Sequence, residues 1–349
     1  MRELIFSTDG TGHLALPDRC SINVSCFGQQ EVQEAVAQAL KECLYVAALA
    51  GIDLTALDGI TVASDCQAAA RSLQDLPAGQ VPLEMSPQPG AMEVGRTAAV
   101  QRYGSLRFHI VVRCGLGLLA ISPDQQMQRV AQACIAHEAA HVEHESHLYR
   151  MFPESYGRPL ECGERSRQTF LKAMDVWSEY AACRSSAVFR PEALEEFEGL
   201  LCRALEESPQ RALELIEAQR AGHLKNGEVF REVQQLFGDL FINAGYLLGH
   251  IHGLERRRKE CTPRLDLLLR AHSGAESLIK RLEDALQQLW LQEFSWPSIE
   301  IFVPIYDVIC EYMEQCGLFF VRQDDEWRIV TYEKQEEAAA ARKTLTGWN

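Results

Sequence analysis

The sequence contains no C-x-x-C pair. Its 12 cysteines are scattered singly from Cys20 to Cys316 through apolar and helical stretches, so they read as buried reduced thiols, with a reducing cytoplasm as the expected location. Basic charge is scarce too: 34 Lys and Arg stand against 49 Asp and Glu, a net charge of −15. That balance argues against nucleic acid and anionic membrane surfaces as partners. Residues Met1 to Gly10 show no basic region leading into a long apolar core, so no secretory signal is expected there. Long apolar runs are also missing. The nearest, Leu240 to Leu254, is framed by Asp239 and Asn243 at its start and by His250, His252 and Arg256-Arg257-Arg258-Lys259 at its end, too short to span a bilayer. Its Gly245, Gly249 and Gly253, four residues apart, predict instead a buried helix closely approached by a neighbour.

What is present is a globular composition. The 349 residues are 47% apolar and 24% charged, enough for one large core or two modest ones. Strand patterns occupy 3–7 and 13–16 around Asp9-Gly10-Thr11-Gly12, then Ser21 to Phe27. A helix follows over Gln29 to Ala50, a strand over Ile60 to Ala63 and a short helix over Asp65 to Leu73. Prolines and glycines make 77–95 an irregular loop. Ala98 to Tyr103, Leu106 to Arg113 and Leu116 to Ser122 read as further strands, and Pro123-Asp124 opens a helix reaching about residue 147. From Gly163 to Gln315 the pattern is helical, interrupted at Pro191, Pro209, Asn226-Gly227, Pro263, Pro297 and Pro304. Leu318 to Arg322 and Trp327 to Tyr332 form a hairpin pattern ahead of a Glu/Ala-rich tail. The order is α+β: a first domain over 1–190, a helical subdomain over 191–317, and a terminal hairpin and tail over 318–349.

Four of the ten histidines fall in His137-Glu138-Ala139-Ala140-His141-Val142-Glu143-His144-Glu145-Ser146-His147. On a helix His137 and His141 project about 40° apart on one face, so both imidazoles can reach one metal ion. Glu138 lies about 100° round from His137 and can face a water without ligating. The residue types suit zinc chemistry. Imidazole binds Zn²⁺ well, the ion acidifies water and polarises a carbonyl, and a neighbouring carboxylate can take the water's proton. Val130, Ala133, Cys134, Ile135, Ala139, Ala140 and Val142 around the motif predict a buried helix with one polar stripe.

Strands followed by a buried helix bearing H-E-x-x-H resemble the zincin metallopeptidases. A third ligand is then required. His137, His141 and His147 match the metzincin spacing, but the glycine that ends the metzincin helix is His144 here. A continuing helix would carry His147 about 15 Å from His137 along its axis. The other candidate is Glu179 in Trp177-Ser178-Glu179-Tyr180-Ala181-Ala182-Cys183-Arg184, which is similar to the second motif of small bacterial and phage-type gluzincins. The resemblance spans residues 59–190. It implies a mixed, largely antiparallel sheet beside the site helix, His137, His141 and Glu179 as metal ligands, and Glu138 as general base and acid. Thermolysin-type gluzincins carry an Asp four residues after the ligand Glu; here Cys183 stands there, and Asp175 is the candidate to orient a histidine instead. Tyr149, Tyr156, Tyr180, Arg184 and His223 remain open as oxyanion partners. His144 and His147 are expected beyond the site, with Glu143 and Glu145 keeping that end solvated.

These readings converge on a cytoplasmic, zinc-dependent endopeptidase acting on a restricted protein substrate. The competing expectation is a non-catalytic interaction protein that keeps a zincin fold and binds through its helical half.

Overall fold

The computed structural model describes Pro17 and residues 20–73, 95–102, 104–153, 167–271, 274–323 and 326–331. The strands expected at 3–16, nearly all of the loop at 77–95 and the tail lie outside the described residues. In chain order the elements are β1 (Ser21–Val24), α1 (Gln30–Leu49), β2 (Leu57–Ala63), α2 (Cys66–Leu73), β3 (Gly95–Arg102), β4 (Ser105–Arg113), α3 (Cys114–Ala120) and α4 (Gln125–Met151). They continue with α5 (Arg167–Ser186), α6 (Leu194–Arg220), α7 (Asn226–Gly253), α8 (Arg258–Cys261), α9 (Pro263–Ala271), α10 (Ala275–Leu291), α11 (Val303–Gln315), β5 (Leu318–Gln323) and β6 (Glu326–Thr331). The fold is α+β, as the element pattern predicts.

The chain divides into two compact units, each discontinuous in sequence. One holds Met1–Pro159, Ala181–Ala193 and Gly249–Glu255; the other holds Leu160–Tyr180, Leu194–Leu248 and Arg256–Asn349. Helices α5 and α7 run unbroken from one into the other.

The first unit is built on a four-stranded sheet of order β1-β2-β4-β3. The sheet is mixed, but two of its three described pairings, β1 with β2 and β2 with β4, are parallel, and only β3 runs antiparallel to β4. The expected largely antiparallel sheet is corrected accordingly. The cause is connectivity: α1 carries the chain over between β1 and β2, and a long crossover separates β2 from β4, as parallel neighbours require. Ile60, Val62, Phe108, Ile110 and Val112 pack on one sheet face with residues of α1, α3 and α4. On the other face Ala98 and Val111 meet Cys66 and Ala70 of α2.

Segment 114–120 is a helix, not the strand its apolar run suggested. A short apolar run carries no period of its own, and the packing decides. Leu116, Gly117 and Ala120 are buried together at helical spacing. Gly117 also lets α3 close on α1, since a Cβ there would stand 3.0 Å from Val36. Asp124 caps α4 by accepting from the Gln126 amide at 2.8 Å.

In the second unit α6 passes through Pro209 without a break, correcting the expected interruption. A mid-helix proline costs about 3 kcal/mol, but Leu201, Cys202, Leu205, Ala212 and Ile216 are all buried on that helix, and each large apolar side chain contributes roughly 1.5–3 kcal/mol. Trp177, Phe294, Trp296 and Phe302 form a ring-on-ring core, with Trp177 and Trp296 centroids 5.4 Å apart. Buried Arg258 is held by Asp266 at 2.7 Å and faces Glu283 at 3.7 Å. Strands β5 and β6 pair antiparallel, matching the expected hairpin. No described helix is long and apolar enough to cross a membrane. The eleven described cysteines are free thiols, and burial pushes Cys43 and Cys316 up to about 11.

Gly245 and Gly253 of α7 do what their spacing predicts. A Cβ at Gly245 would stand 2.7 Å from the Val176 carbonyl oxygen, and one at Gly253 would collide with the Arg184 carbonyl. Helix α5 is therefore seated on α7 by backbone contact on both sides of Glu179. Gly245→Ala should force these backbones apart and lower stability by about 1–3 kcal/mol, read as a lower urea midpoint at unchanged slope.

A polar chain crosses the far face of the sheet. His109, almost fully buried on β4, donates from Nδ1 to Asp58 at 2.8 Å and accepts at Nε2 from Thr61 at 2.9 Å, while Arg102 lies 3.2 Å from Asp58. Burial holds the His109 pKa below its ordinary value, with Asp58 opposing. The native state thus prefers the neutral ring. Its stabilising share is complete above the ordinary value near 6.5 and lost as pH falls through the depressed value. Urea unfolding between pH 7.5 and 5 should show stability falling with acidity, with a shallower fall in His109→Gln.

Candidate metal centre

His137 and His141 stand one turn apart on α4, their rings edge to face with centroids 4.7 Å apart. Their Nε2 atoms converge to 3.1 Å. Two nitrogens bound at 2.0–2.1 Å to one tetrahedral ion lie roughly 3.3 Å apart, so this spacing fits shared coordination. Glu179 completes the group: one ligand atom from each of His137, His141 and Glu179 lies within 4.8 Å of the others. His141 and Glu179 are buried and His137 is half-buried. Among the described residues this is the group of histidines and carboxylates that could hold a metal ion.

Small residues bring Glu179 there. Residues Ala181 to Ser186 of α5, just past Glu179, belong to the same unit as α4, and Ala182 is packed in one core with Ala136, Ala139, Ala140 and Val142. One turn past Glu179, the Cys183 sulfur lies 3.7 Å from His137 Nδ1. With that nitrogen turned to the sulfur, Nε2 is the atom left facing His141. Asp175, the residue foreseen for orienting a histidine, is half exposed with its carboxylate 3.5 Å from Lys172, and the Cys183 sulfur also stands at a histidine.

The Glu138 carboxylate meets edge strand β3. The Thr97 hydroxyl lies 3.0 Å from Glu138 Oε2 and 3.1 Å from the Glu138 carbonyl oxygen. Two residues earlier on the same strand face, Gly95 leaves room, since a Cβ there would stand 2.9 Å from Glu138 Cγ. Neither residue carries a motif; the sequence signal is a glycine and a hydroxyl two apart at the start of a strand whose next residues are Ala98, Ala99 and Val100.

Known protein families, curated proteins and solved structures give no match to this chain. The geometry of its own residues carries the chemical reading.

Helix α4 continues without a turn through His144 and His147 to Met151. His147 is thereby carried along the axis, with Nδ1 3.4 Å from the Arg150 guanidinium. Glu143 and His144 are buried, not solvated as expected, because α4 stays inside the unit for another turn past His141. Of the oxyanion candidates, Tyr180 is fully buried beside Trp177 at 5.7 Å, His223 is exposed, and Tyr156 lies outside the described residues. Tyr149 lines a cavity of about 340 Å³ with Thr55, Ser105, Arg107, Ser146 and Arg150. Its nearest residue on α4, Ser146, lies about 7.5 Å along the helix from His141 and about 13 Å from His137.

The two candidate third ligands separate cleanly in a metal titration. Glu179→Ala should weaken Zn²⁺ binding by at least tenfold, and His147→Ala should leave it within about twofold of wild type. The reverse pattern, measured by calorimetry, would move the third ligand to His147.

Proposed function

We propose that this chain is a zinc-dependent endopeptidase of gluzincin type. The observation that carries the proposal is the division of labour around one turn of α4. His137 and His141 converge with Glu179, while Glu138, between the two histidines in sequence, has its carboxylate held by Thr97 of β3. Two imidazoles and one carboxylate are a donor set that suits zinc and leaves a fourth position open. When bound there, zinc supplies a Lewis acid for a carbonyl oxygen and lowers the pKa of water towards ~7.

The residues of the chain do the rest. Glu138 takes the proton of the attacking water and passes it to the departing amine, so that one carboxyl group serves as base and then as acid. Cys183 fixes the ring of His137 from behind, at 3.7 Å. The buried setting of Glu138 and His141 strengthens each charge interaction the reaction develops. A restricted protein substrate in the cytoplasm is part of the proposal.

The test is zinc-loaded wild type beside Glu138→Gln on a proteome-derived peptide library. Both should hold about one zinc per chain, and the variant should lose at least about 100-fold in cleavage rate. Equal cleavage by the variant refutes the mechanism. A zinc-loaded wild type that cleaves nothing, itself included, favours a binding protein built on the same helices.

A further inference from the structure

We propose that Thr97 is a positioning residue for Glu138, with Gly95 providing the space in which the carboxylate is held. This rests on the peptidase reading of Glu138, and it concerns a residue on a different element from every other member of the site.

The geometry is specific. Thr97 and Gly95 share the face of β3 that meets α4, and Thr97 and Glu138 are both about nine-tenths buried. The Thr97 hydroxyl has one proton and two acceptors within reach: Glu138 Oε2 at 3.0 Å and the Glu138 carbonyl oxygen at 3.1 Å. A hydroxyl is donor and acceptor at once. Towards the carboxylate, Thr97 donates to Oε2. Once Glu138 holds the proton taken from water, the hydroxyl can turn its own proton to the main-chain carbonyl and accept from the carboxyl group. Both halves of the cycle therefore find the same partner in place, with no movement of either backbone. A buried carboxyl group with a fixed rather than a mobile partner loses less alignment at each transfer.

Gly95 restricts the other side. Its Cα lies against Glu138, and an added Cβ would stand 2.9 Å from Cγ, 3.0 Å from Oε1 and 3.1 Å from Cδ. Pairing of Gly95 with Val112 and of Thr97 with Ile110 fixes the strand behind both residues. Oε2 lies at the Thr97 hydroxyl and Oε1 beside Gly95, so both carboxylate oxygens are placed against β3.

The variants are Thr97→Val, which keeps shape and strand preference while removing the hydroxyl, Thr97→Ser, which restores it, and Gly95→Ala, which crowds the carboxylate. On the library peptide that wild type cuts fastest, Thr97→Val and Gly95→Ala should lower kcat about 10–100-fold with KM within about twofold and zinc content unchanged. Thr97→Ser should recover to within about threefold of wild type. A second readout needs no turnover: acetohydroxamic acid, a zinc-binding group with a proton to offer the carboxylate, should bind Thr97→Val about 5–10-fold more weakly than wild type and Thr97→Ser nearly normally.

Thr97→Val with wild-type kcat overturns this inference and leaves the peptidase reading standing. Loss of zinc or of the fold in Thr97→Val, with Thr97→Ser no better, also overturns it, by making the residue structural. If wild type binds zinc but cleaves nothing, the peptidase reading falls, and the hydroxamate affinities decide whether Thr97 still sets the carboxylate. If no variant differs from wild type in hydroxamate affinity, the inference falls with it.

Discussion

Helix α4 must carry Glu138, His141, Glu143 and His144 through the interior of an apolar unit, and the neighbouring elements are shaped by that constraint. Ionisable groups in a low-dielectric interior are costly unless partners meet them. Edge strand β3 brings a hydroxyl and a bare backbone to Glu138. Helix α5 brings a carboxylate to the two imidazoles and a thiol to the back of one of them. The apolar remainder of α4, with Ala131, Ile135, Ala136, Ala139, Ala140 and Val142 fully buried, leaves the polar stripe only one way to face.

Close approach is the second constraint, and small residues meet it. Alanines at 139, 140 and 182 allow α4 and α5 to come near enough for side chains to converge. Gly245 and Gly253 seat α5 on α7 by admitting carbonyl oxygens where a Cβ would not fit. Glu179 lies between those two backbone contacts. Its place near the histidines is thus a property of helix packing as much as of its own chemistry. Interiors packed at this density transmit small changes, so a methyl group on α7 and a charge on α5 are mechanically linked.

The hydrogen-bonded chain of Arg102, Asp58, His109 and Thr61 shows the same logic on the opposite face of the sheet. Each polar atom there meets a neighbour of complementary type, and the imidazole is used neutral. In contrast to α4, the group ties β2 to β4 and brings no cluster of metal-ligating side chains together among the described residues.

The sequence by itself determined the helical spacing of His137, Glu138 and His141, the N-terminal stop at Asp124, the glycine face of α7 and the terminal hairpin, because each depends on a local period or a turn residue. It also singled out Glu179, since a carboxylate among alanines is recognisable in one stretch of chain. Tertiary structure decided the rest. Parallel pairing in the sheet depends on where crossovers land, which no strand encodes alone. The helix at 114–120 and the unbroken α6 through Pro209 were settled by burial against distant residues. The burial of Glu143 and His144 depends on how far α4 runs inside its unit. Cys183 at His137 and Thr97 at Glu138 join residues 46 and 41 positions apart; such pairs have no signature in spacing, because only the packing of separate elements brings them within hydrogen-bonding reach.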